Sequence, residues 1–485
     1  MNGESGRAGA ELELAARVIE LVRKLAGHAC EAEVNVRHEA EALTRFANSA
    51  IHQNVASAAT SLRLRLHSDG RTAGGSTTLT STDDLRTLVE RTLAAVRVSP
   101  PDRSWAGLAP PAPPRLSAGH PGSGERSGLG FGFDEATARA DPADRAERVR
   151  DFVRAAGGLE TAGYCRTVYV SAAFANSAGQ AVEGRMADAA MDGIARSDGA
   201  DGVARLAAAR LADLDGAVLG ARAAAKARAA SRPVELPPGH YEVVLEPDAV
   251  KDVLENLAIF GFDGKAHNQQ QSFAELGKAQ FDPSVTIVDE PLGSREEPAA
   301  DLPFDDEGTP RRPLVLVRDG VTMAVTHDRT SAAQAGAEST GHASPVSRSW
   351  GPHASHMRLE ATSAPGVRPG TGDIDSIAES ARPLVAGMRR GLLVTDLWYT
   401  RVLDPKALVV TGLTRNGVWL VEDGEVVSAV SNLRFTQSYP HALGPGRVLG
   451  IGAGTVLLPD SWDRAHYAAP ALHLAEWNVT GNASG

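Results

Sequence analysis

His342, His353 and His356 fall close together in Ser339–Met357, the last two spaced as His-x-x-His. Neutral imidazoles ligate zinc, and a three-histidine set leaves a fourth position for water. The surrounding segment carries Gly341, Pro345, Gly351 and Pro352 and shows no sustained periodicity, so it reads as a loop bearing surface histidines. A metal role for the three stays open at this point. Cys165, in Gly163-Tyr-Cys-Arg-Thr167, has a cation beside it that would lower a thiol pKa. No histidine or acid is near it in sequence, and a buried strand cysteine is the expectation. Gly450-Ile-Gly-Ala-Gly454 has the glycine density of a phosphate-binding turn, but a dinucleotide fingerprint needs a helix next, and Val456-Leu-Leu-Pro459 continues as strand. A bend in a sheet is expected there.

Composition narrows the chemistry further. The 485 residues contain 49 Lys and Arg against 60 Asp and Glu, a formal charge of −11, which argues against nucleic acid or an anionic membrane as partner. Proteins, peptides or small molecules fit better. Two cysteines, Cys30 and Cys165, supply neither a disulfide framework nor an all-cysteine zinc site, and suit a reducing cytoplasm. Glu4, Arg7, Glu11 and Glu13 stand where a signal peptide needs an apolar core, and no stretch approaches the roughly 18 to 20 apolar residues of a membrane span. A cytoplasmic protein is the expectation.

Periodicity supplies the elements that would position these residues. Leu14, Val18, Leu21, Val22 and Leu25 repeat at helical spacing and Gly27 stops them. Alternation then takes over from Glu31 to His38 and again at Leu62, Leu64 and Leu66, before the hairpin signal Ser68-Asp-Gly70. Asp83 and Asp84 open a second helix through Val96. Ser99–Gly132, rich first in proline and then in glycine, reads as a surface excursion inside one domain. A helix near Pro142–Ala156 and a strand over Thr161–Phe174 follow, and the alanine-rich Val203–Ala230, interrupted by charges, reads as a solvated amphipathic helix. Phe-Ala-Asn-Ser-Ala occurs at Phe46–Ala50 and Phe174–Ala178, consistent with two Asn-Ser turns between strands.

Ser231–Pro238 marks a boundary. Beyond it strand signals dominate, at Tyr241–Leu245, Val285–Val288, Leu314–Val317, Val321–Val325, Leu392–Val402, Val418–Val421, Val426–Val430 and Val448–Leu458. One helix, from about Pro247 to Phe260, stands out among them. The fold expected is α+β: a mixed N-terminal domain over residues 1–232, with the excursion at 99–132, and a mainly antiparallel β-rich domain over 233–485 with one early helix.

Several stretches then resemble, in order, the TldD/PmbA family of metallopeptidase-related proteins, also called the modulator of DNA gyrase family. They are Arg45-Phe-Ala-Asn-Ser-Ala-Ile-His-Gln-Asn54, Ser68-Asp-Gly-Arg-Thr-Ala-Gly74, Gly261-Phe-Asp-Gly-Lys265, Ser339-Thr-Gly-His-Ala343, Gly391-Leu-Leu-Val-Thr-Asp-Leu-Trp398 and the hairpin Arg415–Glu425. The resemblance implies one of two branches. TldD-like subunits carry His-Glu-x-x-x-His on a helix early in the C-terminal domain, where two imidazoles ligate zinc and a carboxylate polarises the bound water. PmbA- or TldE-like subunits lack the motif and pair with the first kind. Here the only His-Glu, His38-Glu39, is followed by Ala-Glu-Ala-Leu, and the matching helix, Glu246–Phe260, contains no histidine. Asp252, Glu255 and Asn256 are a poor zinc set, and read as acids and amide of an exposed helix face.

The resemblance therefore points to the PmbA/TldE-like branch, with no metal ligand and no catalytic residue in this chain and zinc in a partner. It implies a heterodimer with a TldD-like His-Glu-x-x-x-His subunit and an unfolded peptide as substrate, cut in peptide maturation or turnover, including natural-product biosynthesis. Gly264, Lys265, Ser272, Thr340, Gly341 and His342 are the residues expected at the peptide cleft or interface. A stand-alone peptide-binding or scaffold homodimer without catalysis is the alternative, and an enzyme with metal ligands relocated to the histidine cluster is a third reading.

Overall fold

Strict alternation puts Ala32, Val34 and Val36 opposite Leu66, Leu64 and Leu62, and the buried face they share seeds the first sheet. The computed structural model describes residues 9–113, 133–292, 301–361, 379–460 and 464–483. Helix α1 (Ala10–Ala26) precedes strands β1 (Glu31–Ala47), β2 (Ala50–Ser68) and β3 (Arg71–Thr77). Helices α2 (Thr82–Val98), α3 (Glu135–Ala138) and α4 (Pro142–Ala155) lead to β4 (Glu160–Asn176), β5 (Ala181–Ser197), β6 (Ala200–Ala208) and α5 (Gly216–Ala229). The strands form one antiparallel sheet in the order β3-β2-β1-β4-β5-β6. Val18, Val22, Leu85 and Val89 of α1 and α2 pack on the β1–β2 end, and Val149, Phe152, Leu219 and Ala223 of α4 and α5 on the β4–β6 end.

The turns behave as their residues require. Asn48-Ser49, Asp69-Gly70, Asp198-Gly199, Asp319-Gly320 and Asp423-Gly424 all place both central residues at positive φ, the conformation whose twist matches a two-residue hairpin. The second Phe-Ala-Asn-Ser-Ala copy also turns, with Asn176 Oδ1 accepting from the Ala178 and Gln180 amides. Of the excursion, residues 114–132 lie outside the described residues. Its first part is pinned to the sheet: Asn176 and Gln180 donate to the Ala109 and Ala112 carbonyls, and Trp105 stacks on His67.

Val203–Ala230 is not the single solvated helix its composition suggests. Its first residues complete β6, and α5 starts only after Asp215, whose carboxylate caps it by accepting from the Ala217 and Val218 amides. Helix α5 is packed rather than solvated, with Leu219, Gly220, Ala223, Ala224 and Ala227 buried. Alanine spacing here records close backbone approach, because a Cβ on Gly220 would sit 2.2 Å from the Phe152 carbonyl oxygen.

The second half contains β7 (Gly239–Leu245), α6 (Pro247–Asn256), α7 (Gly264–Asn268), β8 (Ile287–Asp289), β9 (Leu314–Arg318), β10 (Val321–Thr322), α8 (Arg329–Ala335) and β11 (His356–Leu359). Then come β12 (Arg390–Asp404), β13 (Val409–Glu422), β14 (Glu425–Ala429), β15 (Leu433–Ser438), β16 (Val448–Ile451), β17 (Val456–Pro459), β18 (His466–Ala469) and β19 (Leu472–Asn482). They form two sheets, β10-β9-β8-β11-β18-β17 and β12-β7-β19-β15-β13-β14, with β16 added to β19 and β12 also paired to β13. Pairing is antiparallel except for β7 with β12 and β11 with β18. Helix α6 touches β7 and β12 of one sheet and β11, β17 and β18 of the other, and is buried along its whole length. The fold is α+β, but the strands read as one sheet are two, and the early helix is enclosed between them and accompanied by the short α7 and α8. Short apolar runs show that strands exist, not which sheet each joins. No helix among the described residues is long and apolar enough to cross a membrane.

Close α4–α5 contact makes a direct prediction. Gly220→Ala will lower stability by roughly 1–3 kcal/mol through overpacking, read as a lower urea midpoint. Gly481→Ala, where a Cβ meets nothing within 4 Å, will leave the midpoint within about 0.5 kcal/mol of the parent.

Candidate functional site

A helix enclosed on every side must pair each of its charges internally. Helix α6 carries Asp248, Lys251, Asp252, Glu255 and Asn256, all buried. Arg205 of β6 reaches Asp248 at 3.2 Å, Asp192 at 2.9 Å and Asp396 at 3.1 Å, and Asn416 donates to Asp396 at 2.7 Å. Asp252 accepts from Thr400 at 2.7 Å and from the Tyr439 hydroxyl at 2.8 Å. Lys251 donates to Glu255 at 2.5 Å, and Lys226 of α5 to Glu246, just before α6, at 2.6 Å. Burial pushes the Glu255 carboxyl up to about 8 against the pull of Lys251, and raises Asp252 as well.

This corrects the reading of Asp252, Glu255 and Asn256 as an exposed face. They are interior groups, and Asn256 is itself spent as a donor to Asp252. Zinc prefers imidazole or thiolate nitrogen and sulfur, and α6 has neither. Among the described residues no group of three or more His, Cys, Asp or Glu is arranged to hold a metal ion. The donor set on this helix does not fit zinc.

A cavity of about 630 Å³ opens instead where the β1–β4 face meets the loops of the second half. Alternation along β1 turns Arg37, Glu39, Glu41, Leu43 and Arg45 toward it, and His342, His353 and Ser355 line it from the other half. Arg37 pairs with Glu39 at 3.1 Å, Arg63 with Asp306 at 2.7 Å and Arg311 with Asp301 at 2.5 Å, while Arg464 binds Glu39. Behind the wall a buried histidine–carboxylate chain holds the loop. His342 Nε2 lies 2.9 Å from Asp289 Oδ2 and its Nδ1 2.7 Å from the Thr340 hydroxyl; Asp289 Oδ1 accepts from the His356 amide at 2.8 Å. Burial opposes ionisation of Asp289, yet His342 holds its carboxyl below the ordinary range. His356 continues to Asp301 at 3.4 Å and to His466 at 3.3 Å, and burial keeps His466 well below the usual imidazole value.

The residues singled out in the sequence separate into three groups. His342 lines the cavity, with Thr340 bonded to it and Gly341 in the left-handed region at φ 80°. Gly264 and Lys265 brace the same wall from behind. A Cβ on Gly264 would sit 2.3 Å from the Thr326 carbonyl, Lys265 donates to the Arg348 and Ser349 carbonyls, and the His327 amide donates to the Thr340 hydroxyl. Ser272 belongs to neither set: it donates to the Gly261 carbonyl and accepts from the Ala274 amide, closing a turn. His342 and His353 share the cavity, whereas His356 faces His466 behind it, so the three do not converge on one point. Asp289, Asp301, Arg311 and His466 went unnoticed in the sequence, where isolated charges on short strands and loops carry no spacing signal. Cys165 is the buried strand cysteine expected, and burial pushes its thiol up to about 12, away from the thiolate form. Gly450–Gly454 joins β16 to β17, and a Cβ on Gly452 would strike the Ser380 carbonyl at 2.5 Å, a packing role.

An α+β chain of this build, with a helix enclosed between two sheets beside a cavity, has counterparts among solved proteins. TldE from Thermococcus kodakarensis superposes with a TM-score of 0.80 at 18% identity, covering 96% of this chain and 100% of that one. A modulator of DNA gyrase from Thermotoga maritima gives 0.77 at 18% identity over 96% and 99%, and another from Bacteroides thetaiotaomicron gives 0.75 at 19% over 97% and 98%. At these identities the likeness concerns the fold. The family model of the PmbA/TldA metallopeptidase C-terminal domain matches residues 238–481, and the chain belongs to the TldD/PmbA family. A Metalloprotease TldD homolog of Haemophilus influenzae is 30% identical over 111 residues, a match that spans 22% of this chain and 23% of that protein.

Two measurements check this electrostatic account. Lys226→Met, which removes the ammonium bonded to the buried Glu246 carboxylate, will cost about 3–5 kcal/mol in urea unfolding. Adding Glu246→Gln will recover more than half of that loss. For Asp289 the depressed carboxyl gives stability that is full above the unfolded carboxylate range and is lost as pH falls through its lower folded value. His342→Gln will therefore be less stable than the parent at pH 7, and the gap will narrow below about pH 4, as followed by urea midpoints across the acid range.

Proposed function

We propose that this chain is the non-metal-binding subunit of a TldD/TldE-like heterodimeric zinc metallopeptidase, in which a His-Glu-x-x-x-His partner holds the metal and this chain supplies interface and cleft wall. The observation that carries the reading is α6: at the position where the family's zinc-binding branch has its motif, this helix has no histidine, and its carboxylates are committed to internal partners. Likeness in fold to TldE from Thermococcus kodakarensis supports the same branch.

An extended, unfolded peptide is the substrate class that suits this architecture. β3 pairs with β2 only from Leu62 to Ser68, so Ala50–Ser61 has no strand on that side among the described residues, and most of the segment is exposed. Such an edge accepts an extended backbone by main-chain hydrogen bonding with little demand on side chains. Limited proteolysis in peptide maturation or degradation, in a cytoplasmic setting, follows as the role, and natural-product precursors are within that substrate class.

Co-expression with a His-Glu-x-x-x-His homologue from the same genome tests the proposal. A stable one-to-one complex is expected on size-exclusion chromatography, with peptidase activity that disappears when the partner's glutamate is replaced. Neither chain alone will cleave an unstructured peptide at a comparable rate. Stoichiometric zinc and peptide cleavage by the isolated chain, or a chain that stays a homodimer beside the homologue, would sink it.

A further inference from the structure

Charges lining the cavity that His342 faces are matched in pairs, with two exceptions. Arg37, Arg63, Arg311 and Arg464 each have a carboxylate within hydrogen-bond reach. Among the described residues Arg45 and Arg166 do not. They lie on neighbouring strands: Arg45 of β1 stands opposite Tyr164 of β4, and Leu43 opposite Arg166, so Arg45, Tyr164 and Arg166 occupy one face of the sheet and line one side of the cavity. Arg45 is exposed. The Arg166 side chain keeps only 12% of its surface accessible and its Nε has no acceptor. The carboxylate nearest Arg166, Asp188, stands 3.7 Å away with neither oxygen hydrogen-bonded, so the pair is an ion pair without a hydrogen bond. The Tyr164 phenol, pushed up to about 12 by burial, keeps its proton at neutral pH and remains a donor.

Among the described residues, two guanidinium forks and a phenol therefore present donors to the cavity without a hydrogen-bonded acceptor of their own. Guanidinium geometry matches a planar carboxylate through two parallel bonds, and partial exclusion of water strengthens such bonds. We propose that Arg45, Tyr164 and Arg166 form a carboxylate-binding subsite that anchors an extended peptide in the cavity. The assignment rests on the peptide-handling reading above, and extends it by naming the group recognised. A carboxylate reaches the site either as the peptide's C-terminus or as an aspartate or glutamate side chain.

Titration calorimetry on the full-length chain, with three short peptides, decides the matter: N-acetyl-tetra-alanine with a free C-terminus, its C-terminal amide, and N-acetyl-Ala-Ala-Glu-Ala-amide. A free or side-chain carboxylate is expected to improve affinity by at least about tenfold over the neutral amide peptide. Tightening by the first peptide alone assigns the C-terminus, and tightening by the third assigns the side chain. Arg45→Gln and Tyr164→Phe, neither of which strips a buried partner, will reduce that advantage, and Arg166→Gln will abolish it. Equal affinity for acid and amide peptides, no measurable binding of any of the three, or an unchanged advantage in Arg45→Gln and Arg166→Gln overturns the assignment. Assembly with the His-Glu-x-x-x-His homologue is scored separately on the same variants by size exclusion. Loss of assembly in the parent with carboxylate discrimination retained rejects the heterodimer and keeps the subsite, and the reverse result rejects the subsite alone.

Discussion

Enclosing a charged helix between two sheets is the constraint on which the rest of this structure depends. Helix α6 presents apolar Val250, Val253 and Leu254 to the core together with Asp248, Lys251, Asp252 and Glu255, and all of these residues are buried. Ionised groups removed from water are tolerated only with partners and well-made hydrogen bonds. Those partners come from distant parts of the chain. Arg205 is on the last strand of the first sheet, Lys226 on α5, Thr400 on β12 and Tyr439 just after β15. Pairing the charges of one helix thus fixes how the first sheet, α5 and the barrel-like second sheet meet.

The same commitment explains what the helix does not do. Its acids hold protein partners at 2.5–3.2 Å, and none of its side chains is the imidazole or thiolate that zinc prefers. Polar chemistry is displaced to the cavity at the junction of the halves, where β1 alternates Arg37, Glu39, Glu41 and Arg45 on one face and the His342 loop closes the opposite wall. The loop is held there by the His342–Asp289–His356 chain and braced by Gly264 and Lys265 through the 326–352 region.

Much of the fold was legible in the residues. Apolar alternation located β1, β2, β4 and most strands of the second half, the Asp-Gly pairs located hairpins, and Asp83–Asp84 and Pro142 located helix starts. Of the candidate site, Thr340, Gly341 and His342 were found through family motifs, as were Gly264 and Lys265 on the bracing side; Ser272 closes a turn elsewhere. Two readings failed for one reason. Charges within Val203–Ala230 and within Pro247–Phe260 are expected from the sequence to face solvent, because the average charged side chain does. Arg205, Lys226 and Asp248 are buried or nearly so against partners 20 to 191 residues away, which leave no trace in local spacing, and Glu255 is buried with Lys251 of its own helix.

By itself the sequence determined the local chemistry: which segments alternate, where left-handed turns fall, that α6 lacks imidazole, and that ordered motifs match the TldD/PmbA family. These are properties of neighbours along the chain, set by backbone geometry and side-chain type. Tertiary structure alone decided that the strands of the second half divide into two sheets, that α6 is enclosed, and that Arg45, Tyr164 and Arg166 share a face with the His342 loop across from them. Burial and pairing between distant residues depend on where the chain returns in space, so only the folded arrangement shows which donors have acceptors and which are left for a ligand.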